Sequence, residues 1–298
     1  MPNRPDIAGR SDPLTVSFEL FPPKGEEQIP ALDAAVDRLA GMGPAYFSVT
    51  YGAGGSTQDR TRGVVDRVRQ RTGLPVAHHL TCVEATREEI DALARDLWEA
   101  GIRKIVALRG DPQGGGSYTP PDDGYPFAAE LVSGLKRVAD FDISVAAYPE
   151  THPEARSADA DLDNLKRKLD NGATAAITQY VFDTDEILRF VDRARAAGID
   201  APIIPGIMPV SNFKGVKRFS EKCGASVPRW LEEMFAGLDD DPSTRAMVAA
   251  AVATEQCRRL AEAGLTEFHF YTLNRADISV AVCRALGLSE AEAPRRAA

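Results

Sequence analysis

Glu19 is the residue whose setting most suggests chemistry, because it interrupts the apolar run VSFELF at residues 16–21. A carboxyl group within such a run is expected to be buried, and burial disfavours its ionised form. Glu19 could therefore hold a proton near neutral pH and act as a general acid. The alternative is a structural role, in which the carboxylate pairs with a buried arginine. The residues themselves leave both interpretations open.

Further polar side chains stand where other predicted strands end: Thr50, Tyr51, His79, Thr81, Arg109, Asp111, Tyr148, Glu150, His152, Gln179, Asn274 and Arg275. Asp111 could cap its loop or pair with Arg109, or it could have a functional role. His79 and His152 lack carboxylate or cysteine companions at metal-ligand spacing, so no metal site is predicted. A purely structural protein would not need so many polar groups at strand ends.

Two glycine-rich stretches could receive a phosphate. GAGGS at residues 52–56 leads into a predicted helix start at Ser56 or Thr57, and a helix N-terminus attracts anions. The glycines at 114–116 precede no helix, so their resemblance to a phosphate loop is weak.

Strands and helices alternate eight times along the chain. The predicted strands are short apolar runs at residues 16–21, 46–51, 76–82, 104–108, 142–148, 175–182, 203–208 and 267–273. Amphipathic segments lie between them and end at Gly101, Gly172, Gly198 and Gly264. Thr86 and Glu89 have capping-box spacing at one helix start.

This alternation predicts an α/β fold, a (β/α)8 TIM barrel in which residues 1–298 form a single domain. An open doubly wound sheet is the alternative, but PPKGEEQ after the first strand is not its glycine fingerprint. In a barrel the active site lies at the carboxyl ends of the strands, where the polar residues above are predicted to meet.

Composition narrows the functional classes. The formal net charge is −9 and no basic stripe accompanies it, which argues against a nucleic-acid partner. The four cysteines include no close pair, so neither a disulfide framework nor a zinc motif is expected. We find no apolar run of membrane length and no signal peptide, so we expect a soluble cytoplasmic protein.

Nine segments, in order along nearly the whole chain, resemble one family, that of the methylenetetrahydrofolate reductases. They are FELFPPK at 18–24, SVTYGAGGS at 48–56, HLTC at 79–82, ALRGDP at 107–112, AAYPETHPEA at 146–155, NLKRKLDNGA at 164–173, ITQYVFD at 177–183, IIPGIMPVSNF at 203–213 and FHFYTLNRA at 268–276. The chain resembles the short bacterial form, without the regulatory domain of eukaryotic members.

The resemblance implies a role for individual residues. Glu19 matches the family's general acid, and Asp111 matches its carboxylate beside the flavin and the folate pterin. The positions that match those holding FAD are Thr50, Tyr51, Ala53, His79, Arg109, Gly110, Asp111, Tyr148, His152, Asp161, Asn164, Arg167 and Lys168. The positions that match folate or nicotinamide contacts are Gln179, Phe219 and Arg275.

The implied activity is the reduction of 5,10-methylenetetrahydrofolate to 5-methyltetrahydrofolate by NADH or NADPH through FAD, which feeds methionine synthesis. A homo-oligomer is expected. Two rival functions are another flavin-dependent barrel oxidoreductase, such as a proline dehydrogenase, and a flavin- or folate-binding protein without turnover. The sequence does not distinguish NADH from NADPH.

Three features depart from the family pattern. Phe127 stands where the family has a tyrosine beside the flavin, so that hydroxyl contact is lost. Gly215 stands where many bacterial members have a glutamine, which leaves one folate contact open. The loop after Asp111 is also longer than usual.

Overall fold

The computed structural model of the chain describes residues 13–51, 58–112, 114, 116 and 118–288. Its strands are β1 (Thr15–Leu20), β2 (Tyr46–Val49), β3 (Val76–Thr81), β4 (Lys104–Leu108), β5 (Asp142–Ala147), β6 (Ala175–Thr178), β7 (Ile203–Ile204), β8 (Gly206–Ile207) and β9 (Glu267–Tyr271). Ala53 and the whole GAGGS segment, with its predicted phosphate site, lie outside the described residues.

Helices follow the strands. They are α1 (Ile29–Ala40), α2 (Gln58–Thr72), α3 (Arg87–Glu99), α4 (Ala128–Val138), α5 (Ala158–Asp170), α6 (Thr184–Ala196), α7 (Phe213–Cys223), α8 (Arg229–Phe235), α9 (Pro242–Glu262) and α10 (Asp277–Ala285). A short 3-10 helix, Glu26–Gln28, precedes α1. The predicted capping box is confirmed: the Thr86 hydroxyl accepts the Glu89 N–H, and the Glu89 carboxylate accepts the Thr86 N–H.

All strand pairs are parallel, and the hydrogen-bonded order is β7-β6-β5-β4-β3-β2-β1-β9-β8. The two ends of this order, β7 and β8, are halves of one segment separated by Pro205. The sheet therefore closes on itself through residues 203–207, and the predicted (β/α)8 barrel is confirmed. The assignment of residues 1–298 to a single domain stays a prediction.

Pro205 explains why the predicted seventh strand is split. Proline has no N–H to give to the ladder, but its carbonyl accepts the His269 N–H at 3.0 Å. The next donor, the Gly206 N–H, bonds to the Thr178 side chain at 2.9 Å instead of to a backbone carbonyl. The seventh segment thus joins both neighbours, β6 and β9, without one continuous strand.

The core has two parts. Outward side chains of the strands pack against the helices in one large apolar cluster, which includes Phe18, Phe47, Val145 and Phe270. A smaller cluster fills the lower part of the barrel interior: Tyr46, Ala77, Val106, Ile177 and Ile204. Because these side chains plug the amino-terminal half, only the carboxyl-terminal half is left open for a ligand.

Candidate active site

A cavity of about 290 Å³ opens at the carboxyl ends of the strands. Such a volume is at the lower limit for a small-molecule site. Its lining combines aromatic and apolar surface with a few polar groups: Glu19, Phe21, Thr50, Tyr51, His79, Val106, Leu108, Ala146, Tyr148, Ile177, Gln179, Tyr180, Met208, Phe219, His269 and Tyr271. Seven of the predicted site residues are therefore brought together here: Glu19, Thr50, Tyr51, His79, Tyr148, Gln179 and Phe219.

Glu19 is buried, as predicted, with 6% of its surface exposed. Its register partners are Ser48 on β2 and Tyr271 on β9, so its side chain points into the barrel. Among the described residues its ion-pair neighbours are two histidines, His79 at 3.5 Å and His269 at 3.7 Å. The alternative in which Glu19 pairs with a buried arginine is therefore wrong for the part of the chain that the structure describes.

His79 approaches Glu19 from β3. Burial lowers the pKa of His79 to about 4. The Glu19 carboxylate opposes this shift, and the neighbouring His269 adds to it. The ring is therefore neutral at pH 7. Its Nε2 is buried and has no hydrogen-bond partner in the described structure, since 3.5 Å to Glu19 exceeds hydrogen-bonding distance.

His269 is the residue that the sequence analysis missed. It lies on β9 with no exposed surface, opposite Ser17 in the ladder and one inward position below Tyr271. Its Nδ1 is 2.7 Å from the Ser17 hydroxyl, and its Nε2 is 3.4 Å from the Ser48 hydroxyl. The alternation of a strand puts residues 269 and 271 on one face, which could have indicated that His269 also faces the interior.

The backbone that carries Glu19 is anchored by the loop after β9. The Thr272 hydroxyl donates to the Glu19 carbonyl at 2.6 Å. The Asn274 amide both donates to and accepts from the backbone of Phe21, each at 2.9 Å. Asn274 has a left-handed φ of 57°, a conformation that asparagine tolerates better than most residues. The Asn274 side chain therefore has a structural role at this strand end.

Arg275, a predicted folate or nicotinamide contact, is exposed and is not part of the cavity lining. Its N–H closes a turn on the Thr272 carbonyl at 2.9 Å. Its predicted contact stays a prediction, because the structure does not bring it to Glu19.

Arg109 and Asp111 lie at the rim rather than in the cavity wall. The Arg109 guanidinium pairs with both oxygens of Glu154 and lies 4.6 Å over the ring of Tyr118. Asp111 is 3.4 Å from Arg109, and 84% of its side chain is exposed. Its charge still acts on the cavity: burial and then Asp111 raise the pKa of Tyr148 to about 12.

Gly110 separates these two charged residues and requires glycine. Its φ is +83°, which L side chains rarely adopt. An added Cβ would lie 2.6 Å from Val83 and 2.8 Å from Thr81. The turn after β4 can therefore fold back over β3 only because residue 110 lacks a side chain.

The segment after β5 forms the neighbouring part of the rim, where Glu154 pairs with Arg109. The Asp161 carboxylate accepts the His152 N–H at 2.8 Å, and the Glu154 N–H bonds to His152 Nδ1 at 3.1 Å. Burial and then the Arg109 charge lower the pKa of His152, so its ring is neutral at pH 7. The Tyr148 ring packs edge-on against His152, with centroids 4.6 Å apart.

Lys168 is a buried cation on α5, with 6% of its surface exposed. Its ammonium donates to the carbonyl of Ala146, a cavity-lining residue, at 2.5 Å. Burial lowers the pKa of Lys168 to about 8, against the opposing effect of Asp161. On the same helix, exposed Arg167 donates to Asn164 at 3.2 Å.

The wall made by β6 and α7 carries the predicted substrate contacts. Gln179 uses its side-chain oxygen to accept the Tyr180 N–H at 3.0 Å, which leaves its amide nitrogen available. The Phe219 ring is stacked near Tyr180 at 6.1 Å and is 42% exposed. This aromatic pair gives the cavity a flat, partly solvent-facing side.

Phe127 and Gly215, the two residues that depart from the family pattern, have ordinary surroundings. Phe127 is partly exposed, and its ring contacts Tyr118 at 5.7 Å. The Gly215 N–H caps onto the Asn212 side chain in the first turn of α7.

Among the described residues no group of three or more histidine, cysteine or acidic side chains could hold a metal ion. Nor is any described helix both long and apolar enough to cross a membrane.

The fold is shared with proteins of low sequence identity. An uncharacterized protein from Clostridium thermocellum that binds two copies of 5-methyl-5,6,7,8-tetrahydrofolic acid matches with a TM-score of 0.67. The two chains are 17% identical, and the match covers 93% of this chain and 95% of the other. A 2,3-dimethylmalate lyase matches with a TM-score of 0.53 at 11% identity, over 92% of this chain and 78% of the lyase. At such identities these matches show the barrel fold alone.

Sequence relatives are much closer. The chain is 53% identical to a 5,10-methylenetetrahydrofolate reductase of Pectobacterium carotovorum, over 95% of this chain and 92% of the relative. It is 52% identical to the Escherichia coli protein of that name, over 92% and 91%. Methylenetetrahydrofolate reductase (NADH) 1 of Arabidopsis thaliana is 37% identical over 91% of this chain and 48% of its own length. The family model described as methylenetetrahydrofolate reductase matches residues 6–287, and the chain belongs to that family.

Proposed function

We propose that the protein reduces 5,10-methylenetetrahydrofolate to 5-methyltetrahydrofolate with NADH or NADPH, using bound FAD. The observation that carries the proposal is Glu19: a carboxyl group buried at the floor of an aromatic-lined cavity, between two histidines. Most of the cavity wall comes from the strand ends whose motifs match the family. The folate-bound Clostridium structure, which has the same fold, also supports a folate ligand.

The residues present fit FAD. A flavin needs a flat apolar slot, polar partners for its ring edge and cations for its pyrophosphate. The buried Nε2 of His79 and hydroxyl of Thr81 have no hydrogen-bond partner among the described residues, and both belong to β3. Lys168 and Arg109 supply positive charge beside the neighbouring strands β5 and β4 in a protein whose net charge is −9.

In this proposal FAD, when bound, supplies the transfer of hydride from the nicotinamide to the folate. Tyr51, His79, Tyr148 and Lys168 hold it against the cavity, with Arg109, Asn164 and Arg167 at the rim. Gln179 and Phe219 hold the substrate that lies on top, Gln179 through its free amide nitrogen and Phe219 through its exposed face.

Glu19 donates a proton to N10 of methylenetetrahydrofolate. The five-membered ring then opens and leaves a 5-iminium cation, which is the form that accepts hydride. A buried carboxyl that faces the substrate can make this transfer without competition from water. Asp111 stabilises the cation through its charge, from the rim rather than by contact.

Three wider features belong to the same proposal. The product would serve as a methyl donor for methionine synthesis, the protein would act in the cytoplasm, and it would assemble as a homo-oligomer. The name of the Arabidopsis relative mentions NADH, but the described residues show no feature that selects NADH over NADPH.

The proposal is tested by mixing the protein anaerobically with NADH and then with methylenetetrahydrofolate, while flavin absorbance is followed. We expect the yellow colour to be lost with NADH and restored by the folate, with 5-methyltetrahydrofolate as product. Proline in place of NADH distinguishes a proline dehydrogenase. A protein that binds FAD and folate but shows neither change would be a binding protein, and the proposal would be wrong.

A further inference from the structure

His269 is contacted by two serines at its ring nitrogens and by two tyrosine rings, at a level just below Glu19. Ser17 contacts Nδ1 at 2.7 Å, and Ser48 contacts Nε2 at 3.4 Å. The Tyr46 ring stacks on one face with centroids 6.0 Å apart, and Tyr271 packs edge-on at 5.5 Å. The Nε2 edge, which is 3.7 Å from Glu19 Oε2, is the side of the ring nearest the cavity.

The proton of the Ser17 hydroxyl and the ring proton of His269 are linked, because either group can be the donor in their contact. This hydroxyl lies 3.4 Å from the Phe268 carbonyl, to which it can donate, and 2.7 Å from His269 Nδ1. A hydroxyl has one proton. If the Phe268 carbonyl receives it, Nδ1 must carry the ring proton, and Nε2 faces Glu19 as an acceptor. An acceptor in that position favours the protonated form of a carboxyl group.

The other groups around Glu19 carry no fixed charge near pH 7. Burial lowers the pKa of His79 on β3 to about 4 and raises that of Tyr46 on β2 to about 12. Burial, and then the Glu19 charge, raise the pKa of Tyr271 on β9 well above its usual value. In the described part of the chain neither lysine nor arginine pairs with Glu19, and its ion-pair neighbours are the two histidines.

We propose that His269, fixed by Ser17, is a positioning residue that keeps the Glu19 carboxyl protonated and directed at the substrate. The inference rests on the proposed function and adds the group that prepares Glu19 to act. The distance of 3.7 Å is longer than a hydrogen bond. Catalytic hydrogen bonds are often long in free enzymes and shorten when substrate binds.

A purely space-filling role would not need this residue type. The interior one step away is filled by apolar side chains, among them Ala77, Val106 and Ile177. Burying an imidazole and two hydroxyls costs free energy unless they bond to one another or to a functional group. The chain therefore retains a polar group beneath its only buried glutamate among the described residues.

Two substitutions separate the two edges of the ring. The amide of His269→Asn reaches the Nδ1 position, so it keeps the Ser17 contact and loses the Glu19 contact. The amide of His269→Gln reaches the Nε2 position and keeps a hydrogen-bonding group near Glu19. The rates of flavin reduction by NADH and of reoxidation by methylenetetrahydrofolate are measured for both variants from pH 6 to pH 9, together with thermal melts.

We expect His269→Asn to slow the folate half-reaction about tenfold or more, a part of the 10²–10⁴-fold that general acid catalysis contributes. Flavin reduction should slow much less. In His269→Asn the folate half-reaction should begin to fail at a lower pH than in the wild type, because the Glu19 carboxyl has lost Nε2 of His269 as a hydrogen-bond acceptor. His269→Gln should recover most of the rate, and Ser17→Ala should shift the pH limit in the same direction by less.

Several results would overturn the inference. An upward shift of the pH limit would mean that His269 donates to Glu19. If His269→Asn and His269→Gln lose rate equally in both half-reactions and melt at lower temperatures, His269 has only a structural role. A His269→Asn protein whose folate half-reaction runs at the wild-type rate would also exclude the positioning role. If His269→Asn does not fold, His269→Gln and Ser17→Ala still decide the matter. A wild-type protein that methylenetetrahydrofolate cannot reoxidise would instead refute the proposed function.

Discussion

At the scale of single residues, the charges of the cavity mouth differ in how strongly water can screen them. Lys168 is buried and bonds to the wall of the cavity through the Ala146 carbonyl. Asp111 stands in solvent, and Arg109 already has two acidic partners, Glu154 and Asp111. A charge in water acts weakly over distance, whereas a desolvated charge acts strongly. We therefore expect Lys168 to contribute more to binding than Arg109, whose charge is already paired, and more than the exposed Asp111.

Asp111→Asn tests the rim carboxylate. The variant should retain FAD, because Asp111 is not part of the cavity wall, and the folate half-reaction should slow more than flavin reduction by NADH. Removal of a preorganised electrostatic group costs about 10²–10³-fold. Since 84% of the Asp111 side chain is exposed, we expect a loss at or below the lower end of that range. Stopped-flow rates that fall equally in both half-reactions would contradict the role.

The lowered pKa of Lys168 predicts how the affinity for FAD depends on pH. Its pKa of about 8 means that the positive charge of the ammonium, which in the proposed function attracts the FAD pyrophosphate, is lost as pH rises through that value. The FAD dissociation constant, measured by flavin fluorescence, should therefore increase between pH 7 and pH 9. Lys168→Met should bind FAD more weakly and show no such increase. Arg167→Met, which removes an exposed cation from the same helix, is the matched control and should keep the pH dependence. A wild-type affinity that stays constant over this range would argue against the role of Lys168.

At the scale of elements, the barrel closes at a point where two backbones approach closely. A Cβ added to Gly206 would lie 2.2 Å from the Thr178 carbonyl and 2.5 Å from the Tyr271 ring. Both neighbours belong to the flanking segments that β7 and β8 join, and Tyr271 lines the cavity. The seventh segment therefore depends on glycine, as the turn after β4 does at Gly110.

Gly206→Ala should therefore be severely destabilising, by about 1–3 kcal/mol or more, which is the usual cost of overpacking a core. Gly63→Ala is the matched control, because Gly63 lies within α2 and an added Cβ would meet nothing within 4 Å. There alanine should stabilise the protein by up to about 1 kcal/mol through helix propensity. Urea unfolding of the two variants provides the comparison. A Gly206→Ala protein as stable as the wild type would contradict the described closure.

The sequence predicted the eight βα units and the barrel, because apolar runs and glycine stops report burial and helix ends directly. The sequence-based prediction extended several strands beyond their observed last residues. The predicted strand at 175–182 ends at Thr178, since the residues that follow leave the ladder and form the cavity wall. Apolar character persists beyond the last ladder bond, so composition cannot mark that point. His269 was missed because its partners, Ser17 and Glu19, are about 250 residues away along the chain.

At the scale of the whole molecule, buried histidines link stability to pH. His78 faces the helices from β3 with no exposed surface, and neither ring nitrogen has a hydrogen-bond partner in the described structure. Burial lowers the pKa of His78 to about 3 and that of His79 to about 4. In the unfolded chain both titrate near 6.5. Between those values the unfolded state binds more protons, so stability falls as the pH is lowered from about 6.5.

His78→Leu should reduce this sensitivity to acid. The variant removes one group that must be protonated on unfolding, and leucine suits an apolar environment. The difference between melting temperatures at pH 7.5 and pH 5 should be smaller than in the wild type. An unchanged difference would show that His78 is not buried as a neutral ring.

The role of Glu19 as the acid is decided by the rates of the two half-reactions of the Glu19→Gln variant. Glutamine keeps the size of the side chain but cannot donate an acidic proton. We expect a folded, yellow protein whose flavin NADH still reduces, because the nicotinamide needs no acid. Reoxidation by methylenetetrahydrofolate should fall about 10²–10⁴-fold, because N10 must be protonated before the ring opens. A stable Glu19→Gln protein that methylenetetrahydrofolate reoxidises at the wild-type rate would show that Glu19 is not the acid.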